Sequence, residues 1–123
     1  MKILVADDSS TMRRIIIKVL NDLGFADVVE APNGAEAVKA ANDAQVGLIL
    51  MDWNMPELAG IDAVRQIRAK GNKTAIVMVT TEAEKRRVIE AIQAGINDYL
   101  VKPFTPEQLQ EKIRKYTGAG KPA

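Results

Sequence analysis

With 123 residues the chain has the length of one domain, enough to bury roughly two-thirds of the surface its unfolded form exposes. Seventeen basic against sixteen acidic residues leave a formal charge of +1, which excludes recruitment of nucleic acid or an anionic membrane by a global field; partners must recognise a local patch. Cysteine and histidine are both absent, so disulfides, thiolate or imidazole metal sites and Cys- or His-based catalysis are excluded, and any metal must be a hard cation held by oxygen.

The N-terminus reaches Asp7 and Asp8 too soon for a signal peptide, and no apolar run approaches the ~18 residues of a membrane span, so a soluble cytoplasmic protein is expected. Ile3-Leu4-Val5-Ala6 reads as a first buried strand running into helix-start chemistry at Asp7-Asp8-Ser9-Ser10. Met12, Ile15, Ile16, Val19, Leu20 and Leu23 have the spacing of one helical face, which Gly24 stops. Val28 to Ala31 is a short strand, and Pro32-Asn33-Gly34 turns into a helix with Ala37, Val38 and Ala41 on one side. Gly47 to Met51 is a strand buried on both faces, ending in Asp52-Trp53-Asn54-Met55-Pro56. Ile61, Val64 and Ile67 then give a third helix its apolar face, and Gly71 ends it. Ala75 to Val79 is a fourth buried strand, followed by Thr80-Thr81-Glu82 and by a helix marked by Val88, Ile89, Ala91 and Ile92 and closed by Gly95. Tyr99-Leu100-Val101 is a fifth strand, followed by Lys102-Pro103. Thr105-Pro106-Glu107 opens a last helix as N-cap, proline in the first turn and acid, with Leu109, Ile113 and Tyr116 facing inward.

Five strands alternating with five helices imply right-handed crossovers and a doubly wound α/β fold with a parallel sheet covered on both faces. One domain over residues 1–117 and a mobile tail over 118–123 are expected, and the initiating Met1 with that tail is what a complete chain would show.

In such a fold chemistry is collected at the carboxyl ends of the strands. Asp7 and Asp8 end the first strand and Asp52 the third; if those strands are neighbours, three carboxylates meet. Two such charges about 4 Å apart repel by roughly 4 kcal/mol at an effective dielectric near 20, so the cluster requires a cation, for which Mg²⁺ is the first expectation and Mn²⁺ the second. Thr80 and Lys102 add a hydroxyl and an ammonium to the same rim. Together these groups suit transfer of a phosphoryl group onto an aspartate, with Asp52 as nucleophile. Each has a plainer reading alone, as a helix cap, a strand-end hydroxyl or a solvated lysine; four strand ends all carrying suitable groups are much harder to ascribe to accident.

Asp7-Asp8, Asp52, Thr80 and Lys102-Pro103, in that order over nearly the whole chain, resemble the signature of the receiver domains of two-component response regulators. Asp52-Trp53-Asn54-Met55-Pro56 and Tyr99 most resemble the single-domain chemotaxis members. The resemblance implies a flavodoxin-like strand order 2-1-3-4-5, for which this family is itself a type example. It implies Asp52 as phosphoacceptor, Mg²⁺ held by Asp8, Asp52 and the Asn54 carbonyl with Asp7 acting mainly through water, and Thr80 and Lys102 on the phosphoryl group. It also implies Thr80 and Tyr99 as the switch, a cis Lys102-Pro103 bond, and Asn54 and Glu82 as tuners of hydrolysis. Thr81 stands where many members carry a smaller residue and is expected to restrict access to Asp52. The chain would catalyse its own phosphorylation and dephosphorylation and turn over no separate substrate.

The implied partners of this monomer are a histidine kinase, an output protein such as a flagellar motor switch component, and a phosphatase. Partner recognition is expected on the fourth helix, fifth strand and fifth helix, where Lys85, Arg86 and Arg87 form a basic cluster beside Tyr99. The plainer reading is a solvated helix face balanced by Glu82, Glu84 and Glu90. A receiver in a non-motility phosphorelay is the alternative. An aspartyl-nucleophile phosphohydrolase is weaker, because Asp52 is followed by Trp53-Asn54 and not by an Asp-x-Thr pattern. A flavodoxin-like cofactor binder is weaker still, since Asp7-Asp8 would repel a phosphate there.

Overall fold

The three strongest apolar runs lie side by side at the centre of the molecule. The computed structural model describes residues 1–118, in the order β1 (Lys2–Ala6), α1 (Ser10–Asp22), β2 (Val28–Ala31), α2 (Gly34–Ala41), β3 (Val46–Met51), α3 (Gly60–Ala69), β4 (Ala75–Thr80), α4 (Lys85–Ala94), β5 (Asp98–Val101) and α5 (Pro106–Thr117). All strand pairs are parallel and the sheet order is β2-β1-β3-β4-β5, as expected. Because side chains alternate along a strand, each central strand feeds two cores. Leu4, Ala6, Ile49, Met51, Ile76 and Met78 pack with Val38, Ile61, Val64, Ile67 and Ala91 from α2, α3 and α4. Ile3, Val5, Leu48, Leu50, Val77 and Val79 pack on the other face with Ile16, Leu20, Leu109 and Ile113 from α1 and α5. Truncating one of these fully buried Leu or Ile side chains to Ala costs about 2–5 kcal/mol.

Local chemistry starts and stops the helices. The Ser9 hydroxyl accepts from the Met12 N–H at 3.1 Å, and Asn33 caps α2 by accepting from the Glu36 N–H at 2.8 Å. Thr105 is the N-cap of α5 with Pro106 in its first turn, as the sequence predicts, and Gln108 completes a reciprocal capping box beyond that expectation. Gly95 ends α4 at φ 112°, a left-handed conformation that costs glycine no steric penalty. Two helices depart from their apolar patterns. Ile15 is 46% exposed on α1, because the buried stripe is centred on Ile16, Val19 and Leu20 and Ile15 falls at its edge. On α4 only Ala91 is buried, while Ile89 and Ile92 face outward. The Lys102-Pro103 bond is cis. Of the expected tail at 118–123, Gly118 is the C-cap of α5 and the remainder lies outside the described residues. Among the described residues no helix is long and apolar enough to cross a membrane.

Candidate functional site at the carboxyl edge of the sheet

The parallel ladder continues one residue beyond the strands and fixes the backbone of the groups that follow. The Asp7 N–H donates to the Ala31 carbonyl at 3.0 Å, Asp52 to Ala6 at 2.9 Å and Lys102 to Thr80 at 2.8 Å. Among the described residues, Asp7, Asp52 and Thr80 are the buried polar ones, at 2%, 7% and 0% exposure, whereas Asp8 is exposed. Lys102 sits between the two buried carboxylates, donating from Nζ to Asp7 Oδ2 at 2.6 Å and to Asp52 Oδ2 at 3.1 Å. Burial pulls its pKa down, but the hydrogen bond to Asp7 and the charge of Asp52 prevail, and it lies above the ordinary lysine value. The second oxygens are held by backbone: Asp7 Oδ1 accepts from the Ser9 N–H at 2.9 Å and Asp52 Oδ1 from the Trp53 N–H at 2.7 Å.

One carboxylate oxygen from each of Asp7, Asp8 and Asp52 lies within 4.8 Å of the others. A single ammonium against three carboxylates leaves two formal negative charges, one of them among the buried pair Asp7 and Asp52, where an uncompensated charge costs several kcal/mol, and one at exposed Asp8. A divalent cation supplies the missing charge, and an all-oxygen donor set open to water on the Asp8 side suits Mg²⁺ or Mn²⁺. The residues present therefore fit such an ion.

The groups around this centre are joined through Glu82. Asn54 Nδ2 donates to Glu82 Oε1 at 3.3 Å, the Glu82 N–H reaches Thr80 Oγ1 at 3.4 Å, and the Tyr99 hydroxyl donates to the Glu82 carbonyl. Burial, then the charges of Glu82 and Asp52, push the Tyr99 pKa up, with Arg87 opposing. Thus Tyr99 meets the site by way of Glu82. Thr81 is exposed. The basic cluster does not act as a unit: Arg86 pairs with Glu84 at 3.1 Å, Arg87 pairs with Glu90 at 3.4 Å, and Lys85 is exposed. Glu84 and Glu90 thus take up two of the three basic charges, while Glu82 is engaged by Asn54.

Sequence reasoning missed two supports of the site. Gly60 opens α3 against the backbone of Asp52, where an added Cβ would lie 1.7 Å from the Asp52 carbonyl oxygen; its N–H donates to the Trp53 carbonyl at 2.7 Å. Arg13 donates from Nη1 to the Asp7 carbonyl at 2.6 Å and from Nε to Glu30 at 2.8 Å, bracing the loop that carries Asp7 and Asp8. A glycine at the first position of a helix with no side-chain cap is a faint signal for the first, and no spacing announces the second.

The family model for the response regulator receiver domain matches residues 3–114. The chain is 50% identical over 121 residues to the chemotaxis protein CheY1 of Helicobacter pylori (strain J99 / ATCC 700824), covering 96% of this chain and 98% of that protein. It is 48% identical over 117 residues to the chemotaxis protein CheY of Pseudomonas aeruginosa PAO1, covering 94% of each. Among solved structures, Vibrio cholerae CheY4 superposes with a TM-score of 0.86 at 35% identity, over 94% of this chain and 97% of its own. The receiver domain of the sensor histidine kinase PA1611 from P. aeruginosa PAO1, with a magnesium ion coordinated in its active site cleft, does so at 0.85 and 34%, over 96% and 98%.

Proposed function

We propose, from the premise that the chain belongs to the response regulator receiver domain family, that it takes a phosphoryl group from a histidine kinase onto Asp52 and thereby changes its affinity for an output partner. The observation that carries this reading is the placement of Lys102 Nζ between Asp7 and Asp52, at 2.6 and 3.1 Å, within a cluster of three carboxylates. An Asp52 carboxylate oxygen attacks the phosphorus of a phosphohistidine; the P–N bond breaks, its electron pair leaves on the imidazole, and a P–O bond forms an acyl phosphate. Lys102 already faces that oxygen and shields the charge of the transferred group, and the Thr80 hydroxyl donates to it. Asp8, Asp52 and the Asn54 carbonyl, with Asp7 nearby, would hold a divalent cation, which would supply further neutralisation of the phosphoryl charge. Asn54 and Glu82, bonded to each other, and exposed Thr81 are the residues that would govern how readily water reaches the acyl phosphate.

The output surface in this reading is α4, β5 and α5. Ile92 of α4 and Val101 of β5 are 60% and 39% exposed, so both elements of this surface offer apolar side chains to a partner. The similarity to CheY proteins favours chemotaxis, with a flagellar motor switch protein as partner and the cytoplasm as compartment. Incubation with acetyl phosphate and Mg²⁺ should give a hydroxylamine-sensitive adduct of one phosphoryl group that is absent from Asp52→Asn. Equal labelling of that variant would overturn the assignment, and an adduct without gain of affinity for a motor switch peptide would favour a phosphorelay outside motility.

A further inference from the structure

Arg87 is one of three consecutive basic residues, yet its surroundings differ from those of its neighbours. The Arg86 side chain is 78% exposed and Arg87 only 38%. Its guanidinium carbon lies 5.4 Å from the centroid of the Trp53 ring, the stacking arrangement in which a cation is attracted by the indole face. Trp53 is 6% exposed and its backbone N–H donates to Asp52 Oδ1, so the ring that Arg87 covers belongs to the residue that follows the proposed acceptor and holds one of its oxygens. On its other side Arg87 pairs with Glu90, whose second oxygen accepts from Arg65 of α3 at 2.9 Å; Arg65 is in turn held by Asp62 at 2.9 Å. An orientation chain therefore runs from α3 through Glu90 to Arg87 and onto Trp53.

We infer that Arg87 is a positioning residue that clamps the first turn of α4 onto Trp53, so that the acceptor strand end and α4 move together, and that it does not serve as a partner contact. This rests on Asp52 being the acceptor only for its regulatory consequence; the clamp itself is a property of the resting protein. A contact of this class holds one arrangement over another by about 2- to 30-fold. A change at Asp52 that displaces Trp53 then reaches α4 through a side chain with a flat, rigid head, a geometry an ammonium does not reproduce. The charge of Arg87 also opposes the rise in the pKa of the Tyr99 phenol.

Trp53 is the only tryptophan, so the emission reports on the surroundings of this ring without interference from another indole. In the resting full chain, Arg87→Ala should raise acrylamide quenching of Trp53 at least twofold and speed amide exchange both in the first turn of α4 and at Trp53. Arg87→Lys should recover only part of this, and Arg86→Ala should leave all three readouts unchanged. Faster exchange in α4 with unaltered Trp53 quenching and exchange would overturn the clamp, as would equal effects of Arg86→Ala. With acetyl phosphate and Mg²⁺, the wild type should change exchange in α4, and Arg87→Ala should form the adduct yet lose most of that change; an undiminished change would overturn the coupling. Absence of an adduct in the wild type would refute Asp52 as acceptor, while the resting measurements would still decide on Arg87.

Discussion

At the scale of single residues, the site is held as tightly by what is missing as by what is present. Gly60 has no unusual φ; its requirement is space, because a methyl group there would meet the Asp52 carbonyl oxygen at 1.7 Å and the Trp53 Cα at 3.1 Å. The obstructing atoms are backbone and cannot rotate away. Gly60→Ala should therefore push the acceptor residue off its ladder position, lowering stability by about 3 kcal/mol, the upper range for overpacking, and slowing labelling by acetyl phosphate. Denaturant midpoints and labelling rates check this, and an unchanged pair would show that α3 yields at little cost. Asp52 itself needs two different neighbours for its two oxygens: the Trp53 N–H fixes one, and Lys102 shares the other with Asp7. That division orients the carboxylate of the proposed acceptor.

At the scale of elements, β5 and α5 are joined by a polar seam in which Asp98 accepts from Lys112 at 2.9 Å, Lys115 at 3.3 Å and the Tyr116 hydroxyl at 3.1 Å. Burial pushes the Asp98 carboxyl up, but Lys112, the Tyr99 N–H and Lys115 together outweigh it and hold the group below the usual carboxylate range. A depressed folded pKa contributes stability that is fully present above the unfolded value near about pH 3.9 and is lost as pH falls through the lower folded value. Asp98→Asn should thus be less stable than wild type by about 1 kcal/mol at pH 6, with the gap closing below about pH 4; a gap that stays constant down to pH 2 would mean the seam is not electrostatic. The elements themselves were legible in the sequence, since runs such as Gly47 to Met51 are too short and too apolar for anything but a buried strand, and Thr105-Pro106 announces a helix start. What periodicity could not supply is the neighbour each face meets. Ile15, Ile89 and Ile92 sit at helical spacing but find no core, and the contacts of Gly60 and Arg87 join segments that share no local pattern. The acidic cluster was legible because parallel strands gather their ends at one edge; that β1 and β3 are neighbours was implied by the resemblance and is visible in the register pairing Ala6 with Met51.

At the scale of the whole molecule, the proposed switch is a matter of populations. Turning a 1:99 mixture into 99:1 requires about 5.5 kcal/mol of differential binding, whereas one hydrogen bond contributes a net ~0.5–1.5 kcal/mol, so Thr80 and Lys102 must act jointly with others. Thr80→Ala and Lys102→Arg should each still accept a phosphoryl group but lose about tenfold of the phosphorylation-dependent gain in partner affinity. Substitution of Tyr99 should alter partner binding with little effect on labelling. Affinity measured with and without phosphorylation checks all three, and retention of the full gain in every variant would place the switch elsewhere. The reach of the Lys102 to Asp7 bond has a further consequence, for it closes a span of 95 residues. Asp7 and Asp52 leave the ribosome before the ammonium that sits between them, which takes its place only once β5 has joined the sheet edge. A chain interrupted before β5 keeps the proposed acceptor carboxylate without that partner. On the proposed function such fragments and folding intermediates stay silent, and a signal comes only from molecules in which β5 has docked.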